Sequence, residues 1–200
     1  MVGTTDAPVT QEPITRRRWT REEYERMVDA GILDENDRVE LIVGEIVNKV
    51  THKGPQATSV GLGQDALIEI VPNEFHVRVQ LPLALGSDSE PEPDLAVVRG
   101  SRRDYRSGHP DGAVLVIEVS DSTLALDRSW KASVYARAGI PEYWIINLVD
   151  RIAEVYRDPA PDAAALLGYG YRQRLSFGPD GALSVLGIAD ASVAVRDLLP

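Results

Sequence analysis

Residues 113–119 read AVLVIEV, an apolar run broken only by Glu118. A short run of this kind, rich in β-branched side chains, marks a strand covered on both faces, and therefore the middle of a sheet. A carboxylate inside such a run costs several kcal/mol to bury unless it is paired or bound to a metal. One stretch thus sets two constraints. The chain folds around a central strand, and that strand carries a charge that needs a partner. The alternative is that Glu118 closes its strand and points to solvent.

The remaining segments supply layers for that sheet. Thr20 followed by Glu23 forms a capping box, which predicts a helix from Arg21 to about Ala30 ended by Gly31. RVELIVGEIVNKV, residues 38–50, is β-branched around Gly44 and predicts a tight hairpin. After Pro55, the residues Val60, Gly63, Leu67, Ile70 and Val71 recur at helical spacing and stop before Pro72. HVRVQLPLAL, residues 76–85, alternates at Val77, Val79, Leu81, Leu83 and Leu85 as a half-buried strand would. DLAVV, residues 94–98, is a further strand after a turn rich in proline and acid. Asp127 to Arg137 reads as a helix closed by Gly139 and Pro141. Residues 142–148 and 151–156 read as a hairpin, 157–168 as a loop, and the stretches near 170–176 and 182–186 as short strands. Residues 1–18 are expected to form a disordered N-terminal tail. Residues 19–200 are expected to form a single α/β domain with a mixed sheet flanked by helices and a β-rich C-terminal extension.

Composition excludes several function classes. Cysteine is absent, so disulfides and thiolate metal sites are excluded. No stretch approaches the ~18 apolar residues of a membrane span, and no secretory h-region opens the chain, so a cytoplasmic protein without a membrane partner is expected. The formal net charge is −10, from 31 acidic and 21 basic side chains. That balance argues against non-specific coating of nucleic acid, which needs a basic surface, but not against an enzyme that meets nucleic acid locally through a bound cation. Walker, GxGxxG and GxSxG motifs are also absent.

Asp94 begins its strand just after Pro91 and Pro93. If its strand lies beside that of Glu118, two carboxylates meet at one sheet edge. Two hard oxygen donors plus waters match the needs of Mg²⁺, with Mn²⁺ able to substitute. Glu40 interrupts the apolar hairpin strand RVELIV and is a third candidate. Taken singly, each reads equally well as an ordinary strand-end, turn or wet-face carboxylate. Lys131 stands four residues after Asp127, the spacing of a plain helical ion pair. Tyr135 shares that spacing with Lys131 and reads as a core or rim aromatic. Tyr143 and Trp144 read as core or interface residues. The histidines lack metal-ligand spacing; His76 falls on the exposed phase of its strand, and His52 lies in a loop near the proposed site. Arg99, Arg102, Arg103 and Arg106, with Tyr105, make the densest basic stretch and the best local phosphate patch.

EPDLAVV, the run LVIEVSDSTLALDRSWKASVYARAGIPEYWIIN and the upstream VELIVGEIV together resemble the Uma2 family of restriction-endonuclease-like proteins. The resemblance runs from about Tyr24 to Tyr156. It implies the fold of the PD-(D/E)XK nucleases, which hydrolyse nucleic-acid phosphodiesters with Mg²⁺. On that pattern Pro93-Asp94 matches the PD and Glu118 the D/E, which makes Asp94 and Glu118 the metal ligands. The usual lysine position holds Ser120, and the family pattern moves the lysine to Lys131. Glu40 matches an acidic residue of the first elements, and Gln80 a polar residue on the strand before Asp94. The resemblance implies an endonuclease acting on nucleic acid, expected to be DNA. A catalytically weak binding or assembly module is the alternative. A homodimer is expected, built on the aromatic hairpin of residues 142–156.

Overall fold

A computed structural model describes residues 15–34, 36–51 and 53–200. The expected tail falls largely outside these residues, and so does His52. Helix α1 (Arg21–Asp29) carries the capping box of Thr20 and Glu23, and Gly31 follows it at φ +67°. The hairpin β1 (Val39–Ile42) and β2 (Glu45–Asn48) turns at Val43 and Gly44, both at positive φ. Two successive residues at positive φ form the turn whose twist matches paired strands.

Helix α2 (Gly54–Ile70) leads to β3 (Phe75–Val79), β4 (Leu95–Arg99) and β5 (Leu115–Ser120). A helical run of α3 (Leu124–Leu126), a π-helical turn (Asp127–Lys131) and α4 (Ala132–Arg137) follows without a break. Strands β6 (Glu142–Asn147), β7 (Ile152–Pro161) and β8 (Tyr169–Phe177) complete a six-stranded mixed sheet in the order β3-β4-β5-β6-β7-β8. Among the described strands only β5 and β6 pair in parallel; the helical run makes their crossover. A small hairpin, β9 (Ala182–Ser184) and β10 (Ser192–Ala194), ends the chain with a 3-10 turn, Val195–Leu198.

Strand alternation sends the two phases of the sheet to opposite covers. One face carries Leu95, Val97, Leu115, Ile117, Val119 and Trp144, packed under α2 and the β9–β10 hairpin. The other carries Ala96, Val98, Val116, Tyr143 and Ile145 beneath α4 and the first hairpin, with Tyr135 and Ile42 in its core. All six residues of β5 are buried, as a strand with both faces covered must be. No helix among the described residues is long and apolar enough to cross a membrane.

Several expectations are corrected. The strand expected over 76–85 ends at Val79, because Gln80 takes φ +50° and turns the chain; Leu81 is exposed, while Leu83 and Leu85 enter the second core from a loop. Strand β7 runs on to Pro161, so the first five residues of the loop expected at 157–168 are strand and the connection to β8 is confined to residues 162–168. Strands β7 and β8 extend the main sheet, and only β9 and β10 form a separate C-terminal piece. The hairpin proposed as a dimer surface is interior to the sheet, with Tyr143 and Trp144 fully buried. Among the described residues the outermost strands of the sheet are β3 and β8.

Candidate active site

The antiparallel β4 and β5 pair Leu95 with Ile117, which sets Asp94 beside the end of β5 where Glu118 stands. Both carboxylates lie on the α4 side of the sheet, and each is 4% exposed. Asp94 Oδ2 accepts a 2.8 Å hydrogen bond from the Val119 N–H, which ties its carboxylate to the backbone next to Glu118. Gln80, at the turn after β3, donates its N–H to the Asp94 carbonyl at 3.1 Å. A non-glycine residue held at φ +50° marks local backbone strain beside the site.

The first hairpin is brought over by the segment leading to Asp94. The Glu90 N–H donates to the Leu41 carbonyl at 2.7 Å, and the Gly44 N–H to the Asp88 carbonyl at 2.7 Å. Glu40, 6% exposed, accepts the Glu92 N–H at 2.9 Å. Lys49 on the same hairpin meets Glu92 at 2.5 Å.

Lys131 ends the π-helical turn. A π turn adds a residue relative to the α-helical repeat and re-aims the side chains that follow. Lys131 Nζ donates to Glu118 Oε1 at 2.8 Å and stands 3.9 Å from Glu40 Oε1. The helical ion pair with Asp127 is not found; the Asp127 carboxylate takes the Thr123 hydroxyl at 2.7 Å instead. The Tyr135 hydroxyl, one turn on and fully buried, donates to the same Glu118 oxygen at 2.6 Å. Ser120 lies on the Glu118 side of β5, fully buried with its hydroxyl 3.4 Å from that of Thr123. Its small side chain leaves that side of the strand to the helix bearing Lys131.

Electrostatics follow from this geometry. Burial pushes the Glu118 carboxyl up to about 8, against the pull of Lys131 and with the help of Asp94 and Asp127. Burial alone would weaken the Lys131 ammonium, but Glu118, Glu40 and Asp127 outweigh it and hold the group charged, above the ordinary lysine range. Burial and Glu118 keep the Tyr135 hydroxyl protonated. One cation therefore sits among several carboxyl groups, an excess of negative charge that favours a further cation.

These side chains border one cavity of about 350 Å³, whose walls include Glu40, Gln80, Asp94, Glu118 and Lys131. Among the described residues no group of three or more His, Asp or Glu side chains could hold a metal ion. Asp94 and Glu118 nevertheless suit Mg²⁺, which is held by one or two carboxylates and keeps several waters.

Gln56, Trp130 and Arg38 are among the cavity residues that the sequence did not single out. Gln56 on α2 donates to the Val119 carbonyl at 2.7 Å, at the end of β5 next to Glu118. Trp130 and Arg38 line the wall. A helix read at the 3.6-residue repeat gives no sign of the π turn that presents Trp130. Tyr135 was visible only as a core aromatic. The arginine-rich stretch does not join the site. Arg99 ends β4 at the far end from Asp94, about 17 Å along the strand. Tyr105 there donates to the Arg99 carbonyl and packs 5.6 Å from His76.

The Uma2 family model, described as "Putative restriction endonuclease", matches residues 21–192. The chain is also similar to a crystal structure described as "a putative nuclease belonging to DUF820", from Anabaena variabilis. The TM-score is 0.67 at 18% identity, covering 90% of this chain and 96% of that one. At that identity the likeness concerns the fold. No protein with a curated description matches.

Proposed function

Since the chain belongs to the Uma2 family, we propose that it is a Mg²⁺-dependent endonuclease that hydrolyses phosphodiester bonds in nucleic acid at the cavity between β4, β5 and the π-helical turn. Asp94 and Glu118 are its metal ligands, with Lys131 as the cationic group, Glu40 at the wall and Gln80 beside the Asp94 backbone. The observation that supports this reading is the meeting of Asp94, Glu118 and Lys131 in one cavity, from three separate elements. A bound Mg²⁺ would polarise a phosphoryl oxygen and lower the pKa of a coordinated water.

The chain's own residues supply the rest. Lys131, held charged, neutralises negative charge growing on the phosphoryl oxygens as water attacks phosphorus and the ester P–O bond breaks. Tyr135 and Lys131 both hold Oε1 of Glu118, which fixes the carboxylate plane. The Val119 N–H does the same for Asp94. Glu40 stays close enough to Lys131 to restrain the ammonium when Glu118 is engaged elsewhere.

The test is cleavage of single- and double-stranded DNA and RNA with Mg²⁺ or Mn²⁺, comparing wild type with Asp94→Asn. Asparagine keeps an acceptor for the Val119 N–H but loses the charge. Metal-dependent cleavage that disappears in Asp94→Asn supports the reading; equal cleavage by both proteins rejects it. Ser120 at the usual lysine position and the net charge of −10 favour one rival, a nuclease-fold binding module without turnover. Nucleic-acid binding without cleavage under every metal condition would select that rival.

A further inference from the structure

The cavity also carries information about which form of nucleic acid it accepts, an inference that rests on the nuclease reading above. Its ionisable walls are Glu40, Glu92, Asp94, Glu118 and Asp127 against Arg38, Lys49 and Lys131, so acids outnumber bases five to three. Two of the three bases are already committed: Lys49 to Glu92 at 2.5 Å and Lys131 to Glu118 at 2.8 Å. Arg38 is exposed, and among the described residues its guanidinium meets the Thr51 hydroxyl at 3.4 Å and forms no ion pair. A duplex nuclease grips many phosphates with Lys and Arg. Among the described residues this cavity offers one uncommitted cation, and the arginine-rich stretch stands at the opposite end of β4.

The aromatic wall points the same way. Trp130 is partly buried at the cavity edge, directly before Lys131 in the π turn. Its ring meets no other ring among the described residues, whereas Tyr135, Tyr143, Tyr156 and Tyr171 form a buried cluster with one another. The indole packs in part against the second core and leaves the rest of its surface in the cavity wall; an aromatic ring so placed beside a phosphate-chemistry site is a stacking platform for a base. The volume, about 350 Å³, lies at the lower end of small-ligand pockets, the scale of one nucleotide and not of a duplex groove. Asp94 and Glu118 lie at its buried end, where a paired strand on a rigid duplex would not bring its phosphate without distortion.

We propose that the cavity takes one unpaired nucleotide of a single-stranded polynucleotide, its base stacked on Trp130 and one neighbouring phosphate held by Arg38. A base in a duplex is stacked on both sides and offers no free face to the indole. Unpaired bases offer that face without the unstacking cost.

The test uses the full chain with Mg²⁺ and three probes of one sequence: a single-stranded DNA 12-mer, its RNA counterpart and the blunt DNA duplex. Tryptophan emission and initial cleavage rates are read across a salt series. The single strands should quench emission and be cut, with a shallow salt slope of about −0.7 to −1.4 for one or two phosphates. Trp130→Leu should weaken single-strand binding by about 5- to 150-fold, with Trp130→Phe between it and wild type because phenylalanine keeps a π-face. Melting curves of both variants should stay close to wild type. Whichever of the DNA and RNA strands binds more tightly identifies the polymer. A duplex bound and cut as well as the single strands, with a slope steeper than about −5 and no effect of Trp130→Leu, overturns the single-strand assignment and leaves the nuclease reading standing. Absence of both binding and cleavage for all three probes overturns both.

Discussion

If Glu118 holds Mg²⁺ as proposed, raising the pH from 6 to 8.5 should tighten binding by roughly 80-fold, because the metal and a proton would compete for its carboxylate. In the folded chain burial holds that carboxyl at about 8, so near neutrality it keeps its proton. A coordinating carboxylate must give its proton up, so binding below pH 8 releases about one proton per ion, and the apparent affinity falls about tenfold per pH unit. Above pH 8 the affinity should level off. The same group shapes the stability of the metal-free protein. Its folded value lies above the ordinary 4.5, so its contribution is fully present below 4.5 and is lost as pH rises through about 8. The gap corresponds to about 5 kcal/mol at most, softened by whatever solvent enters the cavity. Calorimetric titration of Mg²⁺ in buffers of different ionisation enthalpy counts the protons, and melts with and without Mg²⁺ at pH 6, 7 and 8.5 follow the affinity. Glu118→Gln should abolish the proton release. Equal Mg²⁺ affinity at pH 6 and 8.5, with no proton released, would refute the coupling of this carboxyl to the metal.

Three other perturbations probe the scaffold. Gly44→Ala places a Cβ 3.0 Å from Arg18 Cβ and 3.1 Å from the Trp19 carbonyl at φ +74°; it should cost about 1–3 kcal/mol in denaturant unfolding. Gly63→Ala would set a Cβ 2.7 Å from the buried Leu95 Cδ1, next to Asp94. It should lower stability by about 1–3 kcal/mol and weaken Mg²⁺ protection against heat, both read in one set of melts. Glu142, fully buried, accepts Arg157 Nε at 2.7 Å and the Leu186 N–H at 2.6 Å. Glu142→Ala should cost about 3–5 kcal/mol and speed amide exchange across residues 182–194 before the rest of the sheet.

The sequence by itself determined the elements whose cause is local. The capping box fixed the start of α1, Gly44 marked the turn of the first hairpin, and the apolar run at 113–119 announced a central strand because only a doubly covered strand tolerates it. It also singled out Glu118, since a charge in such a run must find a partner. Where the cause is non-local, the sequence misled or was silent. Alternation through Leu85 concealed the left-handed turn at Gln80, because residues facing a core from a loop can share the spacing of a strand. The aromatic hairpin at 142–156 looked like an edge, and strand order alone put it inside the sheet. Asp127 and Lys131 have the spacing of a surface pair, yet the ammonium turns to Glu118, because the parallel crossover carries the π turn over the end of β5. Tertiary structure decided that contact, together with Tyr135, Gln56 and Trp130. Each depends on which elements pack together, and side chains that meet across a sheet leave no period in the chain.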